Sequence, residues 1–556
     1  MPVITDTCPS LELTPVDGAG TPFPLSVVPP TVPAPQPLMR FSLAAAFILA
    51  ALPVAAATAE YNVQDFGAIP DGRTKDTVAI AKAIAACTAA GGGTVVFPAG
   101  RYLTGSIEME SDLTLKIEAG AELLYSGDPK DSPIVAGRWE SSTAFTHAPL
   151  IHAFNKENVA VVGRGTINGQ GSNWWWRNTV YDRSRSAEAK PAQAAWLALL
   201  ARIEKGETFQ ASDFTQAAEY LRPSLVQFNG CKNVLVDGVT ITESPMWLLH
   251  PLYCENVVVH GVNFISTGPN GDGLDIDSSR DVRISDCFFT TGDDCIVIKS
   301  GRDADGRRTA RPTEHIVVTN CVMYKGHGAI VIGSETSGDI RDIAASNIVA
   351  RGTLDGIRIK SQRGRGGVIE NMRFDNFVIE DAAFAIEITG RYQQSSSDHA
   401  NAGPAKFSEQ TPIFRNLSFS NLTIVHARQV ATVAGLEEQA ILGLRFSDIT
   451  ATGTKGFLCD LARDVELHHV RVDVTSGPEF SFTRSNDLTL DDVTSHVPNA
   501  SNPVIKFATS DEVLVRSSRA VAGTGTFLQV DAATGKGLHL VDNDLSLAKT
   551  PQDSGK

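Results

Sequence analysis

The sequence predicts an all-β protein: a right-handed, single-stranded parallel β-helix with an N-terminal capping helix and one helical insertion. Three observations predict it. First, a phrase recurs along the chain, as KENVAVVGRGTI from Lys156, CKNVLVDGVTI from Cys231, CENVVVHGVNF from Cys254, SRDVRISDCFF from Ser279 and TEHIVVTNCVM from Thr313. It continues more loosely as IENMRFDNFVI from Ile369, FRNLSFSNLTI from Phe414, SNDLTLDDVTS from Ser485 and SDEVLVRSSRA from Ser510. Second, the period is roughly 22 to 35 residues, about one coil of a solenoid. Third, each unit holds two or three short alternating strands broken by Gly, Asn or Asp, with no helical pattern between them, which excludes a βαβ crossover and most helical solenoids. Coils of this kind bury their inward Val, Ile and Phe on one another, and asparagines and aspartates at the corners can hydrogen-bond in ladders.

From the amino terminus, residues 1–38 are rich in Pro and Thr and read as upstream sequence from a misassigned start, or as a disordered extension. Residues 39–59, MRFSLAAAFILAALPVAAATA, carry a basic residue at Arg40, an apolar stretch and a small-x-small site at Ala57-Thr58-Ala59, the pattern of a secretory signal peptide. The apolar part is too short and too proline-interrupted to span a membrane. A periplasmic or extracellular location is therefore expected. The β-helix is expected over 60–545. Within it, DGRTKDTVAIAKAIAACTAAGGG from Asp71 has apolar residues at helical spacing and ends in glycines, as a cap over the first coil would. Residues 186–221 interrupt the repeat with a helix-like face at Trp196, Leu197, Leu200 and Ile203. Residues 546–556 read as a disordered tail.

The formal charge of −15 and pI near 5.3 argue against nucleic acid or an anionic membrane as partner. A polyanionic substrate would need a local basic patch. Removing the leader takes Cys8 with it and leaves seven cysteines, an odd number. Cys231 and Cys254 open the same phrase one coil apart, so they should stack at about 4.8 Å. That spacing suits either a disulfide or two buried thiols.

Carboxylates gather in consecutive coils: Asp272 in GPNGDGLDIDSS, then Asp293 and Asp294 in GDDCIVIKSG, 21 and 22 residues further on. Neighbouring strand residues point to opposite faces, so Asp293 and Asp294 can share one site only through a turn at Gly292. The following units bring Gly326-His327-Gly328 and then Arg358-Ile359-Lys360, whose alternation puts both cations on one strand face. Each segment alone has a structural explanation: a turn for NGDG, a tight loop for GHG, a solvated strand face for RIK.

Together they resemble glycoside hydrolase family 28, the polygalacturonase-like enzymes, whose motifs are an N-x-D segment, a G/Q-D-D, a G-H-G and an R-I-K in that order. The resemblance runs from about Tyr61 (YNVQDFGAIPDG, GGGTVVFPAGRY) through RPSLVQF and SPMWLLHP to Tyr392; beyond it only the coil pattern persists. One departure is Asn270-Gly271-Asp272 in place of the usual N-T-D, which removes a hydroxyl near Asp272 and keeps the carboxylate.

The resemblance implies hydrolysis of α-1,4-linked galacturonan with inversion, Asp294 matching the general acid and Asp272 with Asp293 the water-activating pair. His327 would border the acid and share its proton. Asn270, Arg358, Lys360 and Tyr392 would bind substrate, Arg358 and Lys360 reading a uronate carboxylate. Arg302, with Arg363 and Arg365, is a candidate for further uronate contacts. Crowding fits this division of labour, because like charges a few ångströms apart cannot all ionise and one acid keeps its proton. No metal or cofactor is expected, the partner is galacturonan or a pectin oligosaccharide, and the chain is read as a monomer.

Two rival readings use the same residues. A calcium-dependent pectate lyase would bind the ion through Asp272, Asp293 and Asp294. A non-catalytic β-helical adhesin or carbohydrate-binding protein would use them as corner ladders. Among hydrolases, the insertion at 186–221 could wall off one end of the cleft and the SGRDADGRR loop could hold a chain terminus, so exo action is expected over endo.

Overall fold

The computed structural model describes residues 59–392, 405–534 and 537–554. Residues 1–38 and all but the last residue of the expected signal peptide lie outside them, as does Cys8. The described chain coils as a parallel β-helix. One face of it runs through Ile151–Phe154, Val226–Asn229, Leu249–Leu252, Leu274–Asp277, Ile296–Lys299, Gly328–Ile332, Asp355–Lys360 and Phe384–Thr389. Successive strands pair in parallel, so that Ile276, Ile298, Ile332, Ile359 and Ile388 form one inward ladder. All five are fully buried, each contributing about 1.5–3 kcal/mol by burial. In later coils Phe374, Phe419 and Phe446 stack at 5.2 and 4.9 Å.

The corner explains the recurring phrase. Its third residue, in turn Asn158, Asn233, Asn256, Asp281, His315, Asn371, Asn416, Asp487 and Glu512, takes a φ between 53° and 58°. Asn and Asp tolerate this left-handed conformation best. The amides also form a ladder, Asn256 donating to Asn233 at 2.7 Å and Asn233 to Asn158 at 2.8 Å.

Helix α1 (Thr77–Ala89) buries Ile80, Ala83, Ile84 and Cys87 in the same core as Val95 and Phe97 of the first coil. Helix α2 (Ser186–Glu204) lies within the insertion and buries Ala189, Ala192, Trp196, Leu199 and Ile203. Leu197, expected on the apolar face, is instead 57% exposed, because the contact stripe follows 196, 199 and 203. This stripe packs on an antiparallel hairpin, Ile134–Trp139 with Ser142–His147, that the sequence did not announce. Its turn residues Glu140 and Ser141 both have positive φ, 45° and 59°, a conformation usually signalled by Asn-Gly.

Two further expectations are corrected or resolved. The coil stack does not end at 545: Thr550–Asp553 is a strand paired with Thr526–Gln529, held by backbone bonds such as Thr550 N–H to Gly525 O at 2.9 Å. Its side chains are polar and largely exposed, which is why hydrophobic patterning missed it. Cys231 and Cys254 are buried free thiols whose sulfurs approach the carbonyls of Ala153 and Phe228 at 3.5 and 3.2 Å.

Candidate active site

The four sequence motifs are joined by backbone hydrogen bonds, one coil to the next. Gly273 N–H donates to Asp294 O at 2.9 Å, His327 N–H to Asp293 O at 2.9 Å, and Asp355 N–H to His327 O at 2.7 Å. Segments 21 to 34 residues apart thus sit one strand spacing from each other. Two glycines permit this approach. A Cβ on Gly292 would lie 2.3 Å from Gly268 O, and one on Gly271 would lie 2.7 Å from the same oxygen. On this backbone a threonine at 271 would crowd Gly268 O, which matches the departure from N-T-D.

The chain bends at Gly292 and Asp293, and both Asp293 and Asp294 border one cavity of about 220 Å³. Glu140, Trp247, Asn270, Asp272, Lys299, Arg302, Glu335, Lys360, Arg365 and Tyr392 complete its lining with Ser334. Asp293 pairs with His327 Nδ1 at 2.9 Å. Asp294 Oδ2 pairs with Lys360 Nζ at 3.1 Å. One oxygen of Asp272 and one of Asp294 are buried with no hydrogen-bond partner among the described residues.

Burial, reinforced by Asp275 and then Asp293, holds the Asp272 carboxyl well above the usual range. Burial also raises Asp293, but the His327 hydrogen bond, together with the charges of His327, Lys360 and Lys299, leaves that carboxyl below its ordinary value. The His327 imidazole is correspondingly raised, chiefly by its bond to Asp293. Burial disfavours the Lys360 cation, but Asp294 and Tyr392 together raise the ammonium above its ordinary value. Burial raises the neighbouring Asp275 carboxyl in the same way, against the pull of Lys299.

Asn270 is fixed from outside the coil. Its Oδ1 accepts from Arg222 Nη2 at 2.6 Å and from Asn178 Nδ2 at 3.2 Å. Arg222 also donates to Pro245 O at 2.8 Å and Pro269 O at 2.6 Å, so one buried guanidinium braces the loop that presents Asp272. Tyr392 lies with its ring 5.1 Å from Lys360 Nζ and 5.3 Å from Arg358 Cζ. Arg358 shares the strand face of Lys360 but does not border the cavity. Its guanidinium is held by Asp355 at 2.9 Å and Glu387 at 2.6 Å. Arg302 does border it, 3.3 Å from Glu140. Arg365 borders it too, bonded to Asp303 and 3.4 Å from Glu335, whereas Arg363 is engaged by Glu438.

Sequence reasoning missed Arg222, Glu140, Trp247, Lys299 and Glu335. Lys299 had a legible signal, since IVIKS at 296–300 repeats the form of IRIKS at 357–361. It contacts Glu335 at 3.2 Å and Asp275 at 3.6 Å. Lining acids Glu140, Asp272, Asp293, Asp294 and Glu335 face the bases Lys299, Arg302, Lys360 and Arg365.

The family profile described as glycosyl hydrolases family 28 matches residues 205–460, and that of rhamnogalacturonase A/epimerase, pectate lyase-like, matches 61–181. A hyperthermoactive exopolygalacturonase from Thermotoga maritima superposes with a TM-score of 0.65 and 34% identity, over 72% of this chain and 90% of that one. The chain belongs to glycosyl hydrolase family 28. Like the family, it is a right-handed parallel β-helix and a glycoside hydrolase. It is also 31% identical over 375 residues to an exo-poly-alpha-D-galacturonosidase of Dickeya chrysanthemi, spanning 63% of this chain and 60% of that one. The fold alone is shared with a family 28 exopolygalacturonase of Yersinia enterocolitica, TM-score 0.55 at 24% identity over 82% of this chain and 78% of that one.

Proposed function

We propose that this hydrolase cleaves α-1,4-galacturonosidic bonds at the ends of galacturonan chains, with inversion. The observation that carries the reading is a wall beside the acids. The hairpin tip places Glu140 on the same cavity as Asp272, Asp293 and Asp294. Arg302 N–H donates to Ser141 O at 3.1 Å, tying the tip to helix α3 (Asp303–Thr309). Ala304 N–H donates to Glu204 Oε2 at 2.9 Å, tying α3 to the end of α2. A wall on one side of the pocket favours a chain end over a continuous chain. The relatives named as exo-acting support the same reading.

In this reading Lys360, beside Tyr392, receives a galacturonate carboxylate. Its engagement there removes the counter-charge from Asp294, which favours the protonated form that a general acid needs. Asp294 then protonates the departing glycosidic oxygen while Asp272 and Asp293 draw a proton from the attacking water. Asn270 and Tyr392 orient the sugar, and Arg358 supports Tyr392 from outside the cavity. Lys299, Lys360, Arg302 and Arg365 supply the positive charge that calcium would supply in a lyase, which favours hydrolysis. We also propose export as a monomer; no helix among the described residues is long and apolar enough to cross a membrane.

Following the viscosity of a polygalacturonate solution against reducing-end release tests the mode of attack. Slow viscosity loss with monomer or a short oligomer as the first product is expected; an early collapse of viscosity at few cleavages refutes it. Anomeric configuration of the first product, read by NMR, tests inversion.

A further inference from the structure

We propose that Glu140 is a chain-end reader: its carboxylate accepts a hydrogen bond from a hydroxyl that a galacturonan chain carries only at its terminus. The proposal rests on the exo reading above and deepens it. A wall by itself blocks internal chain segments by bulk, but this one presents a carboxylate to the cavity. Glu140 sits at the tip of the hairpin, where both turn residues have positive φ. Its side chain keeps 34% of its surface accessible, and it borders the cavity that the catalytic acids share.

The chemistry discriminates end from interior. A terminal unit carries a free hydroxyl where an internal unit carries a glycosidic ether oxygen. The hydroxyl can donate to a carboxylate; the ether oxygen cannot, and would meet it acceptor to acceptor. A negative group facing a polyanion needs compensation, and Arg302 provides it at 3.3 Å. Arg302 is itself fixed through its N–H to the same turn. Glu335, the other acid near this end, is engaged by Lys299 and Arg365. Glu140 is therefore the acid best placed to accept from a ligand there.

The test compares oligogalacturonates with a saturated non-reducing end against those whose terminal ring carries a 4,5 double bond and no 4-hydroxyl. A second comparison sets a free reducing end against its methyl glycoside, whose anomeric oxygen is an ether and cannot donate. The wild-type enzyme should discriminate within one of these pairs by at least about tenfold in kcat/KM, since a site built to bond a hydroxyl rejects an analogue lacking it. Glu140→Ala should lower that ratio to within about twofold. The pair that loses discrimination identifies which terminal hydroxyl is read. Glu140→Gln, which keeps the shape and an acceptor oxygen, should retain an intermediate ratio. Equal losses on both members of each pair, or an unchanged ratio in Glu140→Ala of unaltered melting temperature, overturns the proposal. Internal cutting by the wild-type enzyme in the viscosity assay instead overturns the exo reading itself, so the two failures are distinguishable.

Discussion

Lys360 Nζ and Asp294 Oδ2 lie 3.1 Å apart across two coils, with side chains only 9% and 3% exposed. The pair joins the proposed acid to the proposed substrate-binding cation, so each can be disturbed through the other.

Asp294→Asn should lower turnover by at least about 10²-fold. It also leaves the Lys360 ammonium buried and unpaired, which should cost about 3 kcal/mol of stability. Adding Lys360→Met to that variant should restore most of the stability and none of the activity. Denaturant titration and initial rates on polygalacturonate check both parts; an active, folded Asp294→Asn enzyme removes Asp294 from the mechanism.

Lys360→Met alone should weaken cleavage mainly through KM and remove the preference for free acid over methyl ester. Rates on polygalacturonate and on fully esterified pectin measure this. Wild-type enzyme cutting both equally fast would exclude a carboxylate pocket.

The His327–Asp293 pair predicts a pH window. Asp293 is depressed, so its contribution to stability is present above the ordinary aspartate value of 3.8 and fades as pH falls through its folded value. His327 is raised, so its contribution is full below the ordinary histidine value of 6.5 and fades as pH rises through its folded value. The difference in melting temperature between wild type and His327→Gln should therefore be largest between these limits and shrink on either side. The imidazole is half exposed, so the difference should be modest.

Arg222→Ala removes two hydrogen bonds to the loop before Asp272, at Pro269 and Asn270, and the bond to Pro245 that anchors the guanidinium. A loss of roughly 3 kcal/mol follows from unpairing charge-assisted bonds, with turnover falling alongside. Arg222→Lys keeps the charge but not the fork, and should refold while remaining slow. Equal turnover in Arg222→Lys and wild type would make the brace dispensable.

The coil period, the corner residues and the order of the four motifs were all legible in the sequence, because a β-helix turns sequence separation into spatial adjacency: a residue's neighbour is the one a coil later. Asp272, Asp293, Asp294, His327 and Lys360 could be brought together on that rule alone. Contacts made by segments that leave the coil obey no such period. Glu140 meets Arg302 across 162 residues, and Arg222 meets Asn270 across 48 through the end of the insertion. Arg358 shows the converse, since strand alternation put it on the right face while Asp355 and Glu387, whose charges depend on packing, drew its guanidinium away from the cavity. The sequence by itself determined the scaffold and the stack of acids, through backbone pairing at a fixed repeat. Only the tertiary structure decided that the cleft has a wall, which side chain stands on it, and which carboxyls burial and neighbouring charge disturb, because those depend on long-range packing and on the summed field of charges the repeat does not encode.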